Sequence, residues 1–504
     1  MREGDVVSAR WRLVVVVLAL VAGCGVGESG SDGMLRVAVS FPPRAGLAID
    51  TDDAFLLTKL GAVETLVRAD VNGEAQPLLA ESWTRDDPLT WTFRLRGGVE
   101  FQDGSPLTAE AVAASLRYVA SSATPPRGLA GLELTAEPID EQTVRVATDV
   151  PDPIVPLRLS SPNTGILAPS AYEGSGPPNA LGTGTGPFQI VEYVTDQRIV
   201  LERFDGYWGT AASLAHVEVA LLPDPASRVA ALQAGEVDIA EGVPPAQLPV
   251  LRDLAGVRLE IYDIPRTTTL YVNTSGGATA DLAVRRAIDL AVDRKALAEA
   301  ILEGAATPAA GYFGPAVPWD PNTEAALPDP EAARQLLADA GYEPGQLRLW
   351  TYPARAELPE LATVVQQMLA EAGIDTEIRV AEYNTLEPEL LAGDYDLFLL
   401  SRSHFTDIPD AGAFLRSDFT CDGSYNLNRY CSPALDALLA TLADADDPDA
   451  RREVFVRAAQ LLTDDVVGVP LLHDQARVAL SDKVVGFVPD PLEQRLLTPE
   501  LGIS

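Results

Sequence analysis

The sequence runs to 504 residues, more than one hydrophobic core usually serves, so two to four domains are expected. Its 47% hydrophobic and 22% charged residues make an ordinary globular balance, which excludes extensive disorder beyond the N-terminal segment. A formal net charge of −36 excludes nucleic acid as a partner, because phosphates need clustered Lys and Arg; only Lys59, Lys295 and Lys483 are lysines, and Arg supplies nearly all the positive charge.

Arg2, Arg10 and Arg12 precede an unbroken apolar run over 13–22. The run is shorter than the about 20 residues of a membrane span and fits the apolar centre of a secretory signal peptide. Val21-Ala22-Gly23-Cys24 follows directly and resembles a bacterial lipobox, in which small residues admit the peptidase and the thiol of Cys24 receives the lipid. Residues 1–23 are then removed, and the Gly/Ser-rich segment 24–34 is a flexible tether. A plain signal peptide with an incidental Cys, or an uncleaved anchor, is the other reading.

Alternation predicts strands at 35–40, 90–95 and 142–147, with a helix over 53–66. Thr108 is a good N-cap, and a helix runs from it to about residue 119, with Glu110 near its positive end. The Gly/Pro-rich stretch 174–187 reads as a crossing between domains. Strands follow at 188–193, 199–204 and 216–222, a helix at 225–234, and a strand at 237–240. The last three form a strand-helix-strand unit, which implies a parallel pair. A strand at 270–273 precedes a long helix over 282–302 capped by Asp281, its apolar stripe formed by Val284, Ala287, Ile288, Ala291, Ala298 and Ile301. A helix at 331–340 leads to strands at 347–352, 374–380 and 395–400, with helices at 358–372 and 385–392 between them. Two further helices and a strand at 469–472 close the chain. The class is α/β.

Cys421 and Cys431 flank a polar, turn-rich stretch, and outside the cytosol a bridge between them is plausible. A metal site is the alternative, but no His lies nearby in sequence and zinc usually takes four ligands. The chain has no Gly-x-x-x-x-Gly-Lys, no His-Glu-x-x-His and no Gly-x-Ser-x-Gly. Gly182, Gly184 and Gly186 precede Pro187 and a strand, so they make a poor dinucleotide loop. Asp444, Asp446 and Asp447 run into Pro448, which suits an acidic linker better than a calcium loop. Catalytic residues, cofactors and a resident metal are not expected.

Five blocks in fixed order carry a family resemblance: LLAESWTRDDPLTWTFRLRGGVEFQDGSPLTAEAV, GTGPFQIVEYVTDQRIVLERFDGYWG, LQAGEVDIAEGVPP, YVNTSGGATADLAVRRAIDLAVDRKAL and DPEAARQLLADAGY. Together they resemble the family 5 solute-binding proteins, the oligopeptide, dipeptide and nickel binders of ABC importers, over about residues 35–475. The resemblance implies a periplasmic-binding-protein-like α/β fold, in which two lobes close on a ligand cleft and an extra smaller lobe is inserted in the first. Lobe one would comprise 35–61, 185–270 and 476–504, the insertion 62–184, and lobe three 271–475. The implied partners are a peptide or peptide-like solute and the membrane permease subunits of an importer. A nickel or metallophore complex, or a sensor role without transport, stands as the alternative.

Peptide binders of the family carry an acid after a strand of the third lobe, and Asp407 occupies that place, facing a ligand α-ammonium group. The family often has Trp where this chain has His404, which reads as a ligand contact, a chelate helper or a loop histidine. Arg402 in the same loop is a candidate for a ligand carboxylate or a structural arginine. Arg44 and the pair Asp52-Asp53 follow the first strand, where the family lines its cleft, and read as ligand contacts or as an exposed loop and helix N-terminus. Asn426 and Asn428 read as ligand contacts or turn residues. Trp83, Trp91, Tyr207 and Trp208 are expected to pack.

Overall fold

Leu35, Val37, Ala38 and Val39 are all buried on the strand Met34–Val39, which pairs in parallel with His216–Leu221 on one side and Ile239–Glu241 on the other. A parallel strand covered on both faces reads as an apolar run rather than an alternation. The structure is a computed structural model that describes residues 33–123, 125–129, 131–174, 176–317, 319, 324–343 and 345–504. The apolar run 13–22, Cys24 and nearly all of the tether lie outside the described residues. Helix Pro225–Gln233 carries the chain across Met34–Val39, from His216–Leu221 to Ile239–Glu241. Asp224 starts it by accepting from the Ser227 N–H at 2.7 Å, with Pro225 in the first turn.

Among the described residues the main sheet has 11 strands. Its path runs Thr376–Val380, Leu347–Thr351, Leu397–Ser403, Val257–Val272, Gly468–Ser481, Ile239–Glu241, Met34–Val39, His216–Leu221, Arg198–Arg203 and Phe188–Val194, and the short Ala306–Pro308 pairs with Gly468–Ser481. Two of these strands serve both ends of the sheet. The antiparallel ladder of Val257–Val272 with Gly468–Ser481 breaks between Asp263, opposite Gln475, and Thr267, opposite His473. Pro265, with no N–H to give, sits in the break. The cores divide at the same place. Val478 and Leu480 pack with Leu35, Val37 and Ile239, whereas Leu270, Val272 and Leu471 pack with Leu349, Leu397 and Leu399. Two separately cored α/β halves are thus joined by two strands, the geometry of a hinge.

A smaller module is inserted into the first half. Ala80–Asp87, Thr90–Leu95, Thr143–Thr148 and Leu134–Asp140 form its antiparallel sheet in that order, backed by helix Ala109–Ala120. Thr108 caps the helix by accepting from the Ala111 N–H. Phe93, Leu95, Val112, Leu116, Val144 and Val146 share one cluster with Leu35 and Leu57, so the module's core is continuous with that of the first half. Where the chain enters and leaves the module, the buried carboxylate of Glu64 accepts from Thr185 Oγ1, Tyr207 Oη and Trp208 Nε1, each at 2.9 Å. Tyr207 and Trp208 therefore hold a polar clamp as well as packing.

In the second half, helices Ala411–Phe419, Pro433–Ala440 and Pro448–Asp464 bury Phe414, Leu435, Leu439 and Phe455 together with Phe313 and Phe405. A Cys421–Cys431 disulfide joins the ends of the loop between the first two of these helices.

Several elements differ from the sequence expectation. The long helix at 282–302 is two helices, Leu282–Ala291 and Arg294–Ala300. Val292 is extended, and Asp293 caps the second helix by accepting from the Ala296 N–H. The break lets the buried Arg294 donate to the Pro470 carbonyl at 2.7 Å. The helix expected over 53–66 stops at Lys59, since Gly61 takes φ 62° and turns the chain toward the inserted module. The strand expected at 270–273 is the end of a 16-residue strand.

Candidate ligand-binding cleft

A cavity of about 880 Å³ opens where the inserted module faces the helices of the second half. That volume lies within the range of sites for small organic ligands. One wall carries Arg127, Asp152 and Arg158 from the inserted module; the other carries Arg402, Asp407, Asp410, Arg416 and Arg451. The two walls meet through ion pairs and one close turn. Arg452 bonds Glu74 at 3.2 Å, Arg85 pairs with Asp446, and Gly73, at φ 75°, brings its turn so close to the Pro409 carbonyl that a Cβ would stand 2.6 Å from the oxygen.

Asp407 lies in the loop that follows strand Leu397–Ser403. Its carboxylate accepts from Arg127 Nε through both oxygens, at 3.0 and 3.1 Å. Arg127 Nη2 also donates to Asp52 Oδ1 at 3.3 Å. One guanidinium from the inserted module thus ties the start of helix Asp53–Lys59 to the loop of the second half.

Arg402 faces the cavity, but its fork is taken by Asp418, with Nε and Nη2 each donating to a separate oxygen at 3.0 Å. Asp418 is fully buried, and the guanidinium lies 4.9 Å from the Tyr425 ring centre. Burial opposes the charge on Arg402, yet Asp418 holds its pKa above the ordinary value.

His404 borders the cavity but is buried, its ring centre 4.6 Å from that of Phe414 and 5.1 Å from that of Phe313. Its Nε2 lies 3.0 Å from Thr267 Oγ1, which also meets His473 Nδ1 at 2.9 Å. Its backbone N–H donates to Pro265 O, at the break in the hinge strands. Burial pushes His404 well below the ordinary histidine pKa and His473 down to about 4, so both rings are neutral at physiological pH.

The other residues expected at the ligand have local partners. Asp53 is buried and organises the loop before its helix, accepting from the backbone N–H groups of Arg44, Ala45 and Leu47 at 2.8–2.9 Å. The Arg44 side chain is exposed, and neither Arg44 nor Asp53 lines the cavity. Asn426 donates to the Thr420 and Tyr430 carbonyls and accepts from the Tyr430 N–H, so its amide is committed to the disulfide loop. Asn428 is fully buried and donates to the Val272 and Val467 carbonyls.

Sequence reasoning missed Arg127, Arg158, Arg416 and Arg451. Their available signal was weak: arginines of helices or helical turns in a strongly acidic chain, with no motif around them. Among the described residues no group of three or more His, Cys, Asp or Glu is placed to hold a metal ion.

Comparison with known proteins agrees with this architecture. Residues 74–426 match the model of the bacterial extracellular solute-binding proteins, family 5 (middle region). The nickel-binding protein NikA of Staphylococcus aureus is 26% identical over 489 residues, covering 96% of each chain. "Probable di/tripeptide-binding protein 5" of Pseudomonas aeruginosa is 29% identical over 454 residues, 83% of this chain and 85% of that one. The crystal structure of the Staphylococcus aureus NikA in complex with Ni(L-His)2 matches with a TM-score of 0.77 at 25% identity, covering 94% of this chain and 100% of that chain.

Proposed function

This chain belongs to the bacterial extracellular solute-binding proteins of family 5, and we propose that it captures a small peptide and delivers it to the permease subunits of an ABC importer. The observation that carries the reading is the cavity itself. It is large enough for a short peptide and lined by both carboxylates and guanidiniums, the two chemistries that a zwitterion needs. Asp407 is already matched there with a cation, Arg127, in a contact that a ligand ammonium group can replace. The similarity to a di/tripeptide-binding relative supports this choice.

Closure follows from the two-strand hinge. Bending at the ladder break moves the second half against the first and carries Asp407 toward Arg127 and Asp52. We place the protein on the outer face of the cell membrane, held by lipid on Cys24, on the strength of the sequence around that residue.

A second reading is capture of a nickel chelate, favoured by similarity to NikA over 96% of both chains. In that case the metal arrives with its own ligands, and the arginines meet the carboxylates of the chelator. Native mass spectrometry of the purified protein, followed by calorimetry with dipeptides and with Ni(L-His)2, separates the two. The expected result is co-purified peptide and peptide binding. A co-purified metal complex with no peptide binding overturns the peptide reading.

A further inference from the structure

The five arginines of the cavity are not equivalent. Four are bonded to a protein carboxylate: Arg127 to Asp407, Arg402 to Asp418, Arg158 to Asp152, and Arg451 to Asp410 at 2.7 and 3.1 Å. Arg416 differs. Among the described residues the one hydrogen bond of its guanidinium is from Nη2 to the Leu439 carbonyl at 3.0 Å, and it bonds no carboxylate. The side chain is exposed to the cavity, on helix Ala411–Phe419, whose Phe414, Leu415, Asp418 and Phe419 are buried.

The distribution of charge makes the position more telling. The charged groups fall into two clusters. One holds Arg127 and Arg402 with Asp52, Asp407 and Asp418, two guanidiniums against three carboxylates. The other gathers Arg416, Arg451 and Arg158 with Asp410 and Asp152, three guanidiniums against two carboxylates. The first cluster is formally one negative charge in excess and the second one positive. Glu387 and Asp422 complete the charged lining and bond none of the five arginines.

We propose that Arg416 binds the carboxylate of the captured solute, and that the two clusters form a charge dipole matched to a zwitterion, ammonium toward Asp407 and carboxylate toward Arg416. The ammonium arm rests on the peptide reading above; the carboxylate arm does not, because a chelator presents the same group. An arginine fork with donors to spare is the natural receptor for a carboxylate, and lysine reproduces its charge but not its planar geometry.

The test is calorimetry on the full protein with alanyl-alanine as the free acid and as the C-terminal amide. Wild type should bind the amide about thirtyfold more weakly, the scale of one lost charge-assisted bond of about 2 kcal/mol. R416Q should bind the free acid about thirtyfold more weakly than wild type and show less than about threefold preference between the two forms. R416K, which keeps the charge, should recover part of the preference and guards against a folding defect in R416Q. Retention of the wild-type preference in R416Q overturns the assignment. If wild type binds neither dipeptide form, the peptide reading fails, and Ni(L-His)2 becomes the probe. About thirtyfold weaker binding of that complex by R416Q then supports the carboxylate assignment. Equal binding by variant and wild type, or no binding of any of the three probes by wild type, overturns it.

Discussion

Replacing Glu64 by Gln should change how stability depends on pH. Glu64 is 8% exposed and sits where the chain crosses into the inserted module, facing Thr185 on the returning crossing. Burial pushes its pKa from 4.5 up to about 7, while the hydrogen bonds from Trp208, Thr185 and Tyr207 and the charge of Arg96 pull the other way. A carboxyl with a raised folded pKa holds its proton in the native state after the unfolded chain has released it. Its contribution is therefore complete below pH 4.5 and is lost as pH rises through about 7. The rise of about 2.5 pH units corresponds to about 3 kcal/mol, at about 1.4 kcal/mol per unit. Gln keeps an oxygen for Trp208 and Thr185 and turns its amide nitrogen to the Tyr207 oxygen, so every group keeps a partner. Urea unfolding at pH 5, 7 and 9 is the assay. E64Q should match wild type near pH 5 and exceed it at pH 9, by up to about 3 kcal/mol. Comparison at each pH cancels the other titrating groups. A difference that stays constant across the range, or a variant less stable at pH 9, refutes the reasoning. Glu64→Leu should destabilise at every pH, because it leaves three donors without an acceptor.

Four further outcomes are expected. Asp407→Ala should weaken peptide binding by about tenfold to a hundredfold, and acetylating the peptide N-terminus should cost wild type a similar amount but the variant little more; additive losses in calorimetry refute the ammonium contact. Removing the Cys421–Cys431 bridge, which closes a separation of 10 residues, should lower stability by roughly 2–3 kcal/mol and speed proteolysis of that loop; unchanged unfolding midpoints count against it. The contribution of buried His404 and His473 to stability should fall as pH drops from 6.5 toward 4, opposite in sign to that of Glu64, because the unfolded chain takes up protons that both rings refuse, and His473→Gln should gain on wild type over that range in denaturation curves. Cys24→Ser should release the protein from the membrane fraction or block its processing; mass spectrometry finding no acylated N-terminal Cys in wild type sinks the lipid assignment.

Local signals in the sequence were sufficient where hydrophobic period and capping chemistry decide the element. Thr108 caps its own helix, and the strand-helix-strand unit around Pro225–Gln233 is legible because hydrophobic period and turn chemistry act over a few residues. The strand before Asp407 was legible in the same way, but Asp407 itself was singled out only by the family resemblance. The long strands Val257–Val272 and Gly468–Ser481 were legible only at one end, because each half packs in a different core and the two halves share no single burial pattern. Polar loop residues were harder still. Asp53 and Asn426 read in sequence as either ligand contacts or local loop residues, and the choice rests on the backbone groups they satisfy once the loops are folded. The composition of the cavity was decided by tertiary structure alone. Arg127 and Asp407 are 280 residues apart, and whether an arginine meets an aspartate or is left free for a solute depends on which loops the hinge and the inserted module bring together. Charge has no period along the chain, so only the folded structure separates the four paired arginines from Arg416.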